Sequence, residues 1–136
     1  MYIKRHIEEA LKMAVNEKGA LCVTGARQVG KSTVLKMLFS EHKELVLDES
    51  RLLRLALEQP EEFFEQFPPP VFIDEIQYAP SLFPYVKIYF DKTGSKGAFL
   101  LSGSQRYEIM SNMTENLAMG QSDRSLRAFH VRDPRR

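Results

Sequence analysis

The chain has 136 residues, 43% hydrophobic and 27% charged. Those are the proportions of a soluble globular domain with one core, and no apolar run approaches the ~20 residues that span a bilayer. A net charge of +1 and a single cysteine, Cys22, supply no electrostatic case for nucleic acid or an anionic membrane and exclude an intrachain disulfide.

The average charge hides an asymmetry. Residues 1–120 carry 14 Lys or Arg against 16 Asp or Glu, whereas residues 121–136 carry five Arg, two Asp and no lysine. The apolar neighbours of Cys22 in "ALCVT" predict a buried, inert thiol. The opening "MYIKRHIEEALKM" lacks the apolar core of a signal peptide, so the expectation is a cytoplasmic protein.

In chain order, Ile3, Ile7, Ala10, Leu11, Ala14 and Val15 recur at helical spacing and predict an amphipathic helix over 3–17, with Gly19 as its left-handed cap. "ALCVTG" reads as a buried strand, and "GKSTVLKMLFSEH" as a helix with an apolar stripe at Val34, Leu35, Leu38 and Phe39. "ELVLDE" is a second strand. "SRLLRLALEQPEEFFEQF" is two short helices broken before Pro60. Pro68, Pro69 and Pro70 force an extended approach to "VFIDE", the third strand. A helix from about Tyr85 to near Gly94, the strand "GAFLLSGS" and the helix "QRYEIMSNMTENLAM" complete the series. Apolar strands alternating with helices imply an α/β fold: three layers, with helices on both faces of a mostly parallel sheet of about four strands. After Met119 neither helical nor strand periodicity continues. The division expected is therefore 1–118 for the domain and 119–136 for a poorly ordered, Arg-rich tail.

"TGARQVGKST" carries the chemistry. Gly25 and Gly30 let the backbone curl so that successive N–H groups point inward, and a helix opening at Gly30 adds its positive end. The loop Gly25, Ala26, Arg27, Gln28, Val29, Gly30, Lys31, Ser32 and Thr33 is thus the candidate phosphate cradle. In it Lys31 reaches the β- and γ-phosphates and Ser32 offers its hydroxyl to Mg²⁺. A bare glycine turn with an exposed lysine is the bland alternative, but a strand precedes the loop and a helix follows it.

The metal also needs a carboxylate, and "VFIDE" places Asp74 at the end of an apolar strand to accept it. Glu75, directly after, can take a proton from the attacking water or orient it. One βα unit separates the two motifs, so the strand of Asp74 can sit beside that of Val23. "FLLSGSQ" sets Ser102, Ser104 and Gln105 at the carboxyl end of the fourth strand, where open α/β sheets bind ligands. A γ-phosphate sensor and a plain Ser-Gly-Ser turn both fit these residues, with Ser102 the leading candidate contact. No Asn-Lys dipeptide of the guanine-reading kind occurs, which favours ATP. His6, His42 and His130 have no metal-ligand spacing. "DKTGS" at Asp91–Ser95, similar to the phosphorylated motif of cation pumps, ends a predicted helix.

"GARQVGKST", "DEIQYAP", "LSGSQ" and "ENLA", in that order and spacing, resemble the prokaryotic AAA-superfamily ATPases that usually continue into a C-terminal domain of unknown function. The likeness runs from about Tyr2 to Ala118. It implies ATP and Mg²⁺ bound through Gly30, Lys31, Ser32 and Asp74, with Glu75 catalytic and Lys31 assisting. The family continues "GR" after "LA" and adds a further strand. Here Met119-Gly120-Gln121 follows Leu117-Ala118, so a truncated core is expected, lacking its last strand and an arginine. Three readings result: an ATPase, a nucleotide-binding module with little or no turnover, and a nucleic-acid partner docking on the tail. The second is preferred. An uncovered first strand would invite self-association.

Overall fold

The computed structural model describes residues 5–26, 30–117 and 125–132, with the side chains of 114–117 excepted. The described residues form six α-helices and five strands. They are α1 (Arg5–Val15), β1 (Ala20–Gly25), α2 (Lys31–Leu38), β2 (Lys43–Val46), α3 (Ser50–Glu58) and α4 (Pro60–Gln66), then β3 (Val71–Asp74), α5 (Phe83–Thr93), β4 (Phe99–Gly103), α6 (Arg106–Leu117) and β5 (Leu126–Val131). Two 3₁₀ turns, Ile76–Tyr78 and Pro80–Leu82, join β3 to α5.

The strands form one parallel sheet in the order β2-β3-β4-β1-β5. Because β1, β3 and β4 are buried along their whole length, each needs apolar side chains on both faces. Alternation then divides the core in two. Cys22, Ile73, Phe99 and Leu101 face a layer holding Ala56, Phe63, Phe83 and Met113. Leu21, Val23, Phe72 and Leu100 face Leu11, Ala14, Val34 and Leu35 of α1 and α2. The three-layer α/β expectation is met, with five strands in place of about four.

Helix boundaries follow local chemistry. Glu49 caps α3 by accepting from the N–H groups of Arg51 and Leu52 at 3.0 and 3.1 Å. Pro60 opens α4 and Pro84 lies in the first turn of α5, where a missing N–H costs nothing. Helix α5 consequently begins two residues before Tyr85, and Gly94 caps it at φ 65°.

Three expectations are corrected. Gly19 is not among the residues of positive φ. A Cβ there would overlap the Phe90 ring, so the position is small for packing and not for a left-handed cap. The strand of Asp74 does not adjoin β1, since β4 lies between them. The core also does not lack a strand on the flank of β1. Leu126–Val131, within the stretch expected to be poorly ordered, pairs with β1 from Ala20↔Leu126 to Gly25↔Val131. Leu126 and Val131 are each 2% exposed, one in either core layer. The edge of the sheet on that side is therefore β5 and not β1. The remainder of the tail, 119–124 and 133–136, lies outside the described residues.

Candidate functional site

The parallel register puts the carboxyl ends of all five strands on one edge of the sheet, and the chemistry-bearing residues gather there. Asp74 pairs with Ser102 in the β3–β4 ladder, and Ser102 pairs with Val23 in the β4–β1 ladder. One transverse row thus carries the acid, a hydroxyl and the strand that enters the glycine-rich loop.

Of the loop, Gly25, Ala26 and Gly30 through Thr33 are described, whereas Arg27, Gln28 and Val29 lie outside the described residues. Gly30 stands at φ 80°, ψ 18°, a left-handed conformation that suits glycine, and it caps α2 without a side-chain hydrogen bond. Glycine carries no side chain that could occupy the first amides of α2, which suits an anion site there. Lys31 is only 3% exposed. Ser32 is half-buried, and Ala26 and Thr33 are exposed.

Loop and acid meet directly. Ser32 Oγ donates to Asp74 Oδ2 at 2.9 Å. Asp74 Oδ1 accepts from the Ser102 hydroxyl and from the Glu75 backbone N–H, the latter at 2.9 Å. Three donors therefore fix a carboxylate that is 9% exposed, and this is how a buried charge is tolerated. Ser102 is completely buried with its hydroxyl on Asp74. It stands behind the acid, while Ser104 and Gln105 lie nearer the surface. The oxygens of Ser32 and Asp74 form a hard donor pair of the type Mg²⁺ takes, so the residues fit that ion.

Glu75 has φ 61°, ψ 44°, the one non-glycine residue at positive φ among the described residues. It accepts from Gln77 Nε2 at 2.8 Å. On the far side of β1, Thr24 Oγ1 lies 2.9 Å from His130 Nδ1 of β5. The His130 ring is held below its ordinary pKa by partial burial, with Arg106 and Arg132 adding to the effect. Burial pushes the Cys22 thiol up to about 12, so it is inert as expected. Gln77 and His130 were not singled out as site residues from the sequence. A glutamine two residues after the acid is the only linear signal of the first. The second becomes visible only once β5 is placed beside β1.

The remaining candidates stay apart from this edge. Asp91–Thr93 end α5 and Gly94 caps it, an ordinary helix terminus. No group of three or more His, Cys, Asp or Glu able to hold a metal occurs among the described residues. Among them, too, no helix is long and apolar enough to cross a membrane. A cleft of about 530 Å³ lies at the opposite, amino end of the sheet, near Phe39, His42, Pro70 and Gly97, without the acid–hydroxyl pair.

Comparison with known proteins agrees with this geometry. The profile of a family described as "AAA domain" matches residues 17–133, which takes in β5. An uncharacterized protein of Mycobacterium bovis and one of Mycobacterium tuberculosis are each 27% identical over 116 residues, 85% of this chain. The chain spans 26% of the length of those relatives. A Walker-type ATPase of Pyrococcus abyssi superposes with a TM-score of 0.60 at 15% identity, over 97% of this chain and 54% of that one. At that identity the likeness shows the fold, an α/β P-loop core. With the family profile covering both motifs and every strand, the chain belongs to the AAA domain family, as an ATPase-like, nucleotide-binding P-loop domain.

Proposed function

We propose that this domain binds ATP together with Mg²⁺ at the carboxyl edge of the sheet and hydrolyses it weakly or not at all. The observation that carries the reading is the 2.9 Å contact between Ser32 Oγ and Asp74 Oδ2. It joins two motifs 42 residues apart at the N-terminus of α2, whose cap residue, Gly30, has no side chain. The amides of the loop and the start of α2 receive the phosphates, Lys31 neutralises the β- and γ-oxygens, and Ser32 and Asp74 hold the metal. When bound, Mg²⁺ offsets the charge that develops on the phosphate oxygens. Glu75 is the candidate general base for water.

Weak turnover is supported by the substitution of Met119-Gly120 for the Gly-Arg that the resemblance places after Leu117-Ala118. An arginine acting on the transition state is worth ~10³–10⁵ in rate. The sheet itself gives no reason for weak turnover, because β5 occupies the flank of β1.

A thermal shift comparing ATP-Mg²⁺ with Mg²⁺ alone tests the binding. Stabilisation is expected in the wild-type chain, about 2.7 kcal/mol at a hundredfold excess over Kd, and none in Lys31→Ala. Equal shifts in the two proteins would remove Lys31 from the site. Phosphate release at a rate typical of an ATPase, abolished by Glu75→Gln, would overturn the weak-turnover reading.

A further inference from the structure

Glu75 is met by a side chain to which the proposed reaction has so far given no task. Gln77, 9% exposed, sits in the first 3₁₀ turn, and its Nε2 donates to Glu75 Oε2 at 2.8 Å. Chemistry fixes the amide's orientation, since the opposite one would set a carbonyl oxygen against a carboxylate. Its Oε1 is thereby turned away from Glu75 and is buried with no hydrogen-bond partner among the described residues. Folding tolerates such an acceptor only at a cost.

Two backbone features serve the same contact. Glu75 adopts a left-handed conformation at φ 61°, ψ 44°, which is unfavourable for a residue with a Cβ and persists where surroundings over-determine it. Gly103, at the carboxyl end of β4, lies against the Gln77 amide. A Cβ there would collide with Gln77 Oε1 and with Ile109 Cδ1. An unpaired acceptor, a strained acid and a position where any side chain would displace the Gln77 amide or the tip of Ile109 converge on keeping one amide against one carboxylate.

We propose that Gln77 is the positioning residue for Glu75, with Gly103 supplying the space in which its amide stands. The proposal rests on the reading of Glu75 as general base. In hydrolysis the water oxygen bonds to the γ-phosphorus, and the bond to the β–γ bridging oxygen breaks with its electron pair leaving on ADP. The water proton passes to Glu75 and on to phosphate or solvent. Gln77 touches none of the reacting atoms. Its N–H holds the Glu75 carboxylate in one rotamer, so that the oxygen facing the water does not wander. A displacement of ~1 Å at such a group lowers rate about 10²-fold without altering ground-state binding.

The test measures ATP-Mg²⁺ affinity by calorimetry and phosphate release by single turnover on the full chain. The variants are Gln77→Leu, Gln77→Met, Gly103→Ala, Glu75→Gln, and Gln77→Met combined with Glu75→Gln. Affinity is expected to stay within about twofold, while release falls about 10²-fold, to the level of Glu75→Gln. The double variant is expected to be no slower than Glu75→Gln alone. Gln77→Met preserves volume without a donor and stands in if Gln77→Leu does not fold. Release from either Gln77 variant at or above the wild-type rate overturns the proposal, as does wild-type release equal to that of Glu75→Gln. A wild-type chain that binds no ATP-Mg²⁺ overturns the nucleotide reading itself, an outcome distinct from binding without a Gln77 effect.

Discussion

Asp74 and Ser102 face one another across the β3–β4 ladder, and the Ser102 hydroxyl donates to Asp74 Oδ1. Ser102→Ala would leave a buried carboxylate with one donor fewer, a loss of about 1–3 kcal/mol. Urea unfolding is expected to show that loss, and the gain in nucleotide affinity on adding Mg²⁺ is expected to shrink. An unaltered urea midpoint would show that the contact does not hold the acid.

Thr24 and His130 give a pH dependence. The folded-state pKa of His130 is lowered from 6.5, by burial first and then by Arg106 and Arg132, against a raising contribution from Thr24. The unfolded chain therefore binds the proton more readily, and stability is lost as pH falls through about 6.5. The ring is largely solvent-exposed, so the effect is small. Urea midpoints taken from about pH 7.5 to about pH 5.5 should fall, and His130→Asn should flatten the profile in that window.

Strand β5 shields β1. A chain ending at Met119 loses Leu126 and Val131 from the two core layers and bares the backbone of β1. Self-association by sedimentation is the expected result. In the full chain, Leu126→Ala should cost about 2–4 kcal/mol. A truncated chain that sediments as a stable monomer would contradict the role given to β5.

Gly19→Ala should destabilise by about 1–3 kcal/mol through overpacking against Phe90. Pairing it with Phe90→Ala should make the glycine substitution nearly silent. Additive losses in the pair would point to backbone conformation at Gly19 as the cause.

What could be read from the sequence follows the physics of burial. Strands β1, β3 and β4 are covered on both faces, so they appear as short apolar runs between glycine, proline and polar residues. The loop and "VFIDE" were visible because their spacing is itself the chemistry. β5 was not, because its two faces are lined unevenly. Leu126 and Ala128 pack on one side and Phe129 and Val131 on the other, so no period of two emerges. Arg127 also stands over the Phe129 ring at 4.7 Å, and a cation on an aromatic face reads in the sequence as a solvated charge. Strand order was hidden for another reason: crossovers place β4 between β1 and β3, and nothing in linear spacing records that. Gln77 acquires its place only through the left-handed turn at Glu75, a backbone property that residue type does not announce.

The Thr24 side chain is held by a strand far along the chain, while its main chain runs straight into the phosphate loop. The β1–β5 ladder and the contact of Thr24 Oγ1 with the His130 imidazole thus tie residues more than a hundred positions apart in sequence at the point where β1 ends.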